Sequence, residues 1–409
     1  MDSKRRLTRR QFLFGMLAAL GGAMPAGLRR FIGLAAPGEP ADMVPRVYLP
    51  LIARNYPPPE SSRVVHVHDP DATSWSFSSS SYYWQHVSQS AVDRMVEEGL
   101  KTLTGTASVQ EAWLQLLPNY QPGQVIAIKV NFNNAPNCSD ADNVIDALTE
   151  PVNSLIATLK AFGVPERDIW IFDALRALPD RFVGRLLYGD VRLFDSRSKG
   201  CREDATFVSD DPHAEVSFQH PNLTNRRLTD VVINADYLIN MPIMKDHGIS
   251  GVTLGFKNHF GTIDRVVGGS PDDLHIYINP SDYRYSPDYN PMLDIYLNPH
   301  IRDKTVLTVG DGLYGALGNT NVEPSRWSTF GNDAPNSLFF SRDPVAIDCV
   351  MLDLLDAEPV SHPKRNGGHA DDYLALAEEA GLGTFERGDP WQTPYGSGYS
   401  RIEYLRIEL

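Results

Sequence analysis

The chain has 409 residues, with 37 Lys and Arg against 51 Asp and Glu, for a formal net charge of −14. Hydrophobic residues at 42% can build a sizeable core, and the acidic balance excludes a nucleic-acid binder, which needs a basic face for phosphates. The 3 cysteines, Cys138, Cys201 and Cys349, include no CxxC pair, so this chain alone ligates neither a zinc ribbon nor an iron–sulfur cluster, and at most one disulfide can form.

The chain opens with a basic stretch over 4–10, followed by an apolar, small-residue run from Phe12 to about Met24. That run is too short to span a bilayer as a helix. Arg9-Arg10-Gln11-Phe12-Leu13 resembles the twin-arginine export signal, a paired Arg followed by x-Phe-Leu. The resemblance implies the twin-arginine machinery as partner and a periplasmic, cell-surface or extracellular destination. It also implies export of an already folded protein, which favours a cofactor loaded beforehand. The other reading is a basic arm beside an uncleaved anchor. We place the signal over 1–36, with cleavage between Ala36 and Ala41 left open. Cleavage would remove seven basic side chains and one acidic one, leaving the mature protein more acidic still. Residues 37–62, with Pro57-Pro58-Pro59, read as an extended tether. No transmembrane helix is expected in the mature chain.

From residue 63 short apolar runs alternate with helical patterns, which predicts an α/β domain over 63–409, a mainly parallel layered sheet flanked by helices. Strands are expected at 64–68, 125–131, 168–173, 231–233, 237–240, 306–309 and 338–340. Helices are expected at 91–103, 109–117, 144–162, 344–355 and 372–380, the last closed by Gly381. The Pro-, Asp-, Asn- and Tyr-rich stretch around 268–300 reads as a long irregular surface excursion, placed to cover a site.

Several expected strands end in polar residues: Lys129 and Asn131, Asp173, Asn240, and Asp311 between Gly310 and Gly312. In open α/β sheets the ligand crevice lies beyond the carboxyl ends of the strands, so the set can converge there. Singly, each is also what a turn or helix cap uses. Lys245, His247, Lys257, Asn258 and His259 follow in apolar, glycine-containing company. Lysine in such surroundings needs an anionic partner. That partner is either an internal carboxylate or a substrate phosphate or carboxylate held by Lys129, Lys245 and Lys257. His247, His259 and His275, with Asp311 as an oxygen donor, are candidate ligands for a divalent metal, although no HExxH pattern accompanies them. His66 and His68 read as strand-surface residues. The run 310–315 matches GxGxxG, but no helix follows it, so a turn is expected there and no dinucleotide site. Cys349 reads as a core residue.

The blocks 128–131, 236–247, 253–261, 310–312, 341–348 and 377–383 together resemble one family, the domain of unknown function 362, collinearly from about Arg63 to Gly383. The resemblance implies the fold and points to Lys129, Asn131, Asn240, Lys245, His247, Lys257, Asn258 and Asp311. It brings no settled reaction. Its association with iron–sulfur proteins comes from members with an added cysteine domain, which this chain does not match. The expected function is that of an exported enzyme acting on a small anionic substrate, with a metal or redox cofactor as a candidate. Lys245 and His247 are its expected catalytic residues, and Lys129, Asn131, Asn240, Lys257 and Asn258 its substrate-binding set. His247, His275 and Asp311 are its expected metal ligands. The alternative is a non-catalytic extracytoplasmic protein that binds a small anion.

Overall fold

A computed structural model describes residues 62–409, apart from 79, 319–321, 361, 363–364 and 366–368. The expected signal and all but the last residue of the expected tether lie outside the described residues. The strands are β1 (Arg63–His68), β2 (Ile126–Lys129), β3 (Ile169–Asp173), β4 (Arg192–Asp195), β5 (Glu203–Asp204), β6 (Glu215–Val216) and β7 (Arg226–Arg227). After them come β8 (Tyr237–Asn240), β9 (Ile243–His247), β10 (Gly251–Thr253), β11 (Thr305–Ala316), β12 (Ser337–Ser341) and β13 (Glu403–Glu408). Eleven of them form one sheet in the order β13-β1-β12-β11-β8-β2-β3-β4-β5, with β9 on β11 and β10 on β9. Strands β11, β8, β2, β3, β4 and β5 run parallel to one another along this path, while β12 runs antiparallel to both β1 and β11.

Alternation along β2 separates the layers. Ala127 joins Phe172, Leu238 and the helix Pro344–Asp356 in one core, while Ile126 and Ile128 join the helices Gln89–Thr104 and Thr149–Phe162 in the other. The fold class is the expected α/β layered sheet. The path also contains a reversal. From β2 the chain builds outward through β3, β4 and β5, then returns to lay β8 on the opposite side of β2. The carboxyl ends of β2 and β8 therefore flank a topological switch point, where open α/β sheets form a crevice. Register sets Lys129 beside Asn240 across that point.

Four expectations change. The 231–233 run is not a strand; it lies in a helix, Asp230–Asn234, whose start is capped by the Thr229 hydroxyl accepting from the Val231 N–H. Three apolar residues are too few for a period to separate helix from strand. The helix expected from 144 begins at Thr149, with Pro151 in its first turn, because 145 and 147 spend their N–H groups on Val322 and Asn131 carbonyls. The 310–315 run is no turn but the interior of β11. Its glycines make room for neighbours: a Cβ on Gly310 would sit 2.6 Å from Met351 Sδ, and one on Gly315 2.5 Å from Trp327. His66 is fully buried, bonded to the Tyr404 hydroxyl at 2.7 Å and the Ser337 hydroxyl at 2.8 Å.

The 268–300 stretch is partly exposed, with Tyr283 81% accessible, but irregular only in part, since it holds the helix Pro291–Tyr296 and the start of the helix Pro299–Arg302. It is also anchored, since Leu274, Tyr277, Met292 and Ile295 are buried in the core. Gly381 takes a left-handed φ of 78° at the end of the helix Asp372–Glu379, which is why glycine stands there.

Candidate functional site

Three strand ends and one short helix meet at the switch point. Lys129 closes β2, Asp173 closes β3 and Asn240 closes β8, while Asn258 ends the four-residue helix Gly255–Asn258. The Lys129 ammonium donates to Asp173 Oδ2 at 3.2 Å, Asn258 Oδ1 at 3.2 Å and the Val130 carbonyl at 2.5 Å. Asn131 Nδ2 donates to the same Asn258 oxygen at 3.1 Å, and Asn258 Nδ2 donates to Asn240 Oδ1 at 2.8 Å. Asn240 in turn donates to the Gly255 carbonyl at 3.0 Å. The Lys129 charge is thus met by an internal carboxylate, one of the two partners its surroundings allowed. Burial lowers its pKa, and Asp173 opposes that shift. Gly261 is required by this pair, because an added Cβ would lie 2.7 Å from Lys129 Nζ and 2.8 Å from Asp173 Oδ1.

A second buried carboxylate supports the same segment from beneath. Asp348, on the helix Pro344–Asp356, accepts from the Gly255 N–H at 2.8 Å, the Phe256 N–H at 3.3 Å and the Tyr373 hydroxyl at 3.0 Å. These two N–H groups open the Gly255–Asn258 helix, where no neighbour along the chain could satisfy them.

Above the network lies a cleft of about 870 Å³. Of the expected residues, Lys129, Asn131, His247, Lys257, Asn258 and His275 line it. Asn240, Lys245 and Asp311 do not. Lys245 is fully buried; burial pulls its pKa down to about 8, and the charge of Asp146 works against that. Asp311 turns its carboxylate to the Leu313 N–H at 3.1 Å within its own strand. The expected metal set is accordingly split: His247 and His275 face the cleft and Asp311 does not. Among the described residues no group of three or more His, Cys, Asp or Glu side chains is arranged to hold a metal ion. His259 lies off the cleft, fully buried, with both ring nitrogens lacking hydrogen-bond partners and its ring 5.3 Å from that of Tyr296.

The cleft is cationic. Lys129, Arg176, Arg197, Lys257 and Arg265 line it against two carboxylates, Asp173 and Asp264. Lys129 pairs with Asp173, Arg265 with Asp264 at 3.1 Å, and Arg197 with Asp204 at 3.6 Å. Arg176 bonds only to the carbonyl and side-chain oxygens of Asn133, and Lys257 sits 3.7 Å from the centroid of the Phe260 ring. Neither has a carboxylate within ion-pair distance among the described residues, although the charge of Asp273 acts on Lys257. Burial, then the charges of Arg176 and Lys245, pull the Lys257 pKa down to about 7. Burial and the Lys257 charge likewise hold His275 at about 4 and His247 well below its usual range. The Nδ1 of His247 accepts from the Ile249 N–H at 3.1 Å and the Ser250 N–H at 3.2 Å. Its single proton therefore resides on Nε2, and the neutral ring offers a hydrogen-bond donor rather than a base.

The arginines escaped the sequence reading, although Arg176 stands only three residues beyond the end of β3, within reach of the strand-end rule. Arg197 and Arg265 lie on connecting segments with no comparable signal.

Asp311 carries a pH prediction. Burial raises its pKa from 3.8 to about 7. A group whose folded pKa is raised contributes stability that is fully present below the unfolded value and lost as pH climbs through the folded one. Asp311→Asn is therefore expected to flatten the fall in stability between those pH values, with a gap on the order of 2–4 kcal/mol at the alkaline end. Urea titrations of both proteins across that range check it; parallel pH profiles would contradict it.

A family model described as Domain of unknown function (DUF362) matches residues 126–353, a span that holds the network from Lys129 to Asp348 apart from Tyr373. A comparison with curated proteins finds no match.

Proposed function

The chain belongs to the DUF362 family, and on that premise we propose that it is an exported enzyme acting on a small anionic substrate bound in the switch-point cleft. The observation that carries the reading is the pairing state of the cleft cations. In a chain of net charge −14, Arg176 and Lys257 face one crevice with no carboxylate at ion-pair distance among the described residues, so a bound anion would complete them. The acidic body would repel an extended polyanion while the local potential attracts a small one.

His247 serves in this reading as a neutral donor to a substrate oxygen, and Lys257, near neutrality in its titration, as the reactive cation of the cleft. Lys129, Asn131, Asn240 and Asn258 position the floor rather than touch the charge directly. Lys245 stands behind it, where its charge helps depress that of Lys257.

Export is supported by Arg9-Arg10-Gln11-Phe12-Leu13 and by a disulfide between Cys138 and Cys201, whose Cα atoms lie 5.3 Å apart. Such bonds persist in oxidising compartments. No helix among the described residues is long and apolar enough to cross a membrane.

Titration calorimetry with acetate, sulfate, phosphate and pyruvate tests the reading. Saturable binding of at least one anion is expected, weakened about tenfold or more by Arg176→Ala, with a loss of at least ~1.4 kcal/mol. Equal affinities in the two proteins would sink it. A bound anion that the protein never transforms would favour the non-catalytic alternative.

A further inference from the structure

We infer that Lys257 is an amine nucleophile that forms an imine with an anionic carbonyl compound in this cleft, a 2-oxo acid with a short aliphatic tail. The inference rests on the anion-binding reading above and names its substrate class.

Four features of the cleft define that class. Lys257 is half-buried, opens onto the cleft and rests on the Phe260 ring; no described carboxylate lies within ion-pair distance of it, and the charge of Asp273 opposes the loss of its proton only in part. Arg176 spends Nε and one Nη2 hydrogen on Asn133, and its Nη1 donors, which take no partner among the described residues, can meet a carboxylate. His247 Nε2–H and the Thr253 hydroxyl, which is 3% exposed and has no hydrogen-bond partner, are donors suited to a carbonyl oxygen. The rim is apolar: Phe207 and Val266 continue into Val208 and Val267, which are 74% and 60% exposed. An aliphatic tail would cover these valines. A pKa of about 7 leaves a large share of Lys257 as the free amine at neutral pH, in the way desolvated lysines beside other cations are activated.

The step balances without an added oxidant or reductant. The Lys257 nitrogen lone pair adds to the carbonyl carbon, forming a C–N bond while the C=O electrons move onto oxygen. That oxyanion is met by the two donors. The two amine hydrogens end on the departing oxygen, the C–O bond breaks, and water leaves with the imine in place.

The test is reductive trapping of the full chain with 4-methyl-2-oxopentanoate and sodium cyanoborohydride, followed by peptide mapping. The expected result is a gain equal to the oxo acid less one oxygen atom, located on the Lys257 peptide. Lys257→Arg, which keeps the charge but not the nucleophilic amine, should lose that adduct while its thermal unfolding midpoint stays unchanged. 4-Methylpentanoate, the same anion and tail without the carbonyl, should slow the trapping and leave no adduct itself. Saturable calorimetric binding of the oxo acid with no Lys257 adduct would overturn the imine and leave the anion reading standing. Adducts spread evenly over exposed lysines would overturn it equally. Absence of both binding and adduct would overturn the two together.

Discussion

Lys129→Met is expected to destabilise the domain by about 3–5 kcal/mol, because it leaves Asp173 as a buried charge without its cation. Lys129 is fully buried and Asp173 3% exposed, so water cannot replace the lost partner. The carboxylate keeps the Phe132 N–H at 3.1 Å and the Leu175 N–H at 3.2 Å, which soften the loss without cancelling a charge. Methionine fills most of the volume of the lysine, so the cost is electrostatic rather than a cavity. Neutralising both ends isolates that term. Lys129→Met with Asp173→Asn should recover a large part of the loss, giving strong coupling in a double-mutant cycle measured by urea unfolding. Additive single losses would show that the pair is not the unit proposed here.

Asp348→Ala should cost about 3 kcal/mol and, separately, weaken anion binding. Three donors lose their acceptor at once, two of them backbone N–H groups at the start of the Gly255–Asn258 helix. That helix carries Lys257 and Asn258, and the Gly255 carbonyl receives Asn240, so movement there reaches the whole floor of the cleft. Asp348→Asn retains an acceptor of the same size and should lose less than the alanine variant on both measurements. Calorimetry with the best-bound anion, run beside urea unfolding, separates the two effects. Full anion affinity in a destabilised Asp348→Ala protein would place the carboxylate in the core alone, with no part in the site.

The parts of the fold that were legible in the sequence are those decided by local pattern. The apolar runs ending at Lys129, Asp173 and Asn240 are strands because each is short and apolar, and their polar ends mark the crevice because parallel strands all end on one side. The helices Gln89–Thr104 and Pro344–Asp356 follow from spacing and caps, Ser88 accepting from Ala91 N–H and Asp343 from Val345 and Ala346 N–H. Where the local pattern was short or shared between states it misled. The Val231–Val232 pair suits helix and strand alike, and the glycines of β11 read as a turn because Met351 and Trp327, which fill the space above them, are invisible from within the run.

The pairing of charges was the other thing hidden. Lys129, Lys245 and Lys257 look alike in sequence, each among apolar or glycine neighbours. Only the folded chain gives Lys129 an internal carboxylate, sets Lys245 near Asp146 away from the cleft, and leaves Lys257 facing it beside Arg176. The sequence by itself determined a layered α/β domain and the strand ends at which its polar residues gather, since both depend on short-range periodicity and strand direction. The tertiary structure alone decided which cations are paired with a carboxylate and which line the cleft without one at ion-pair distance among the described residues, because ion pairing depends on distances of a few ångströms between segments far apart in the chain.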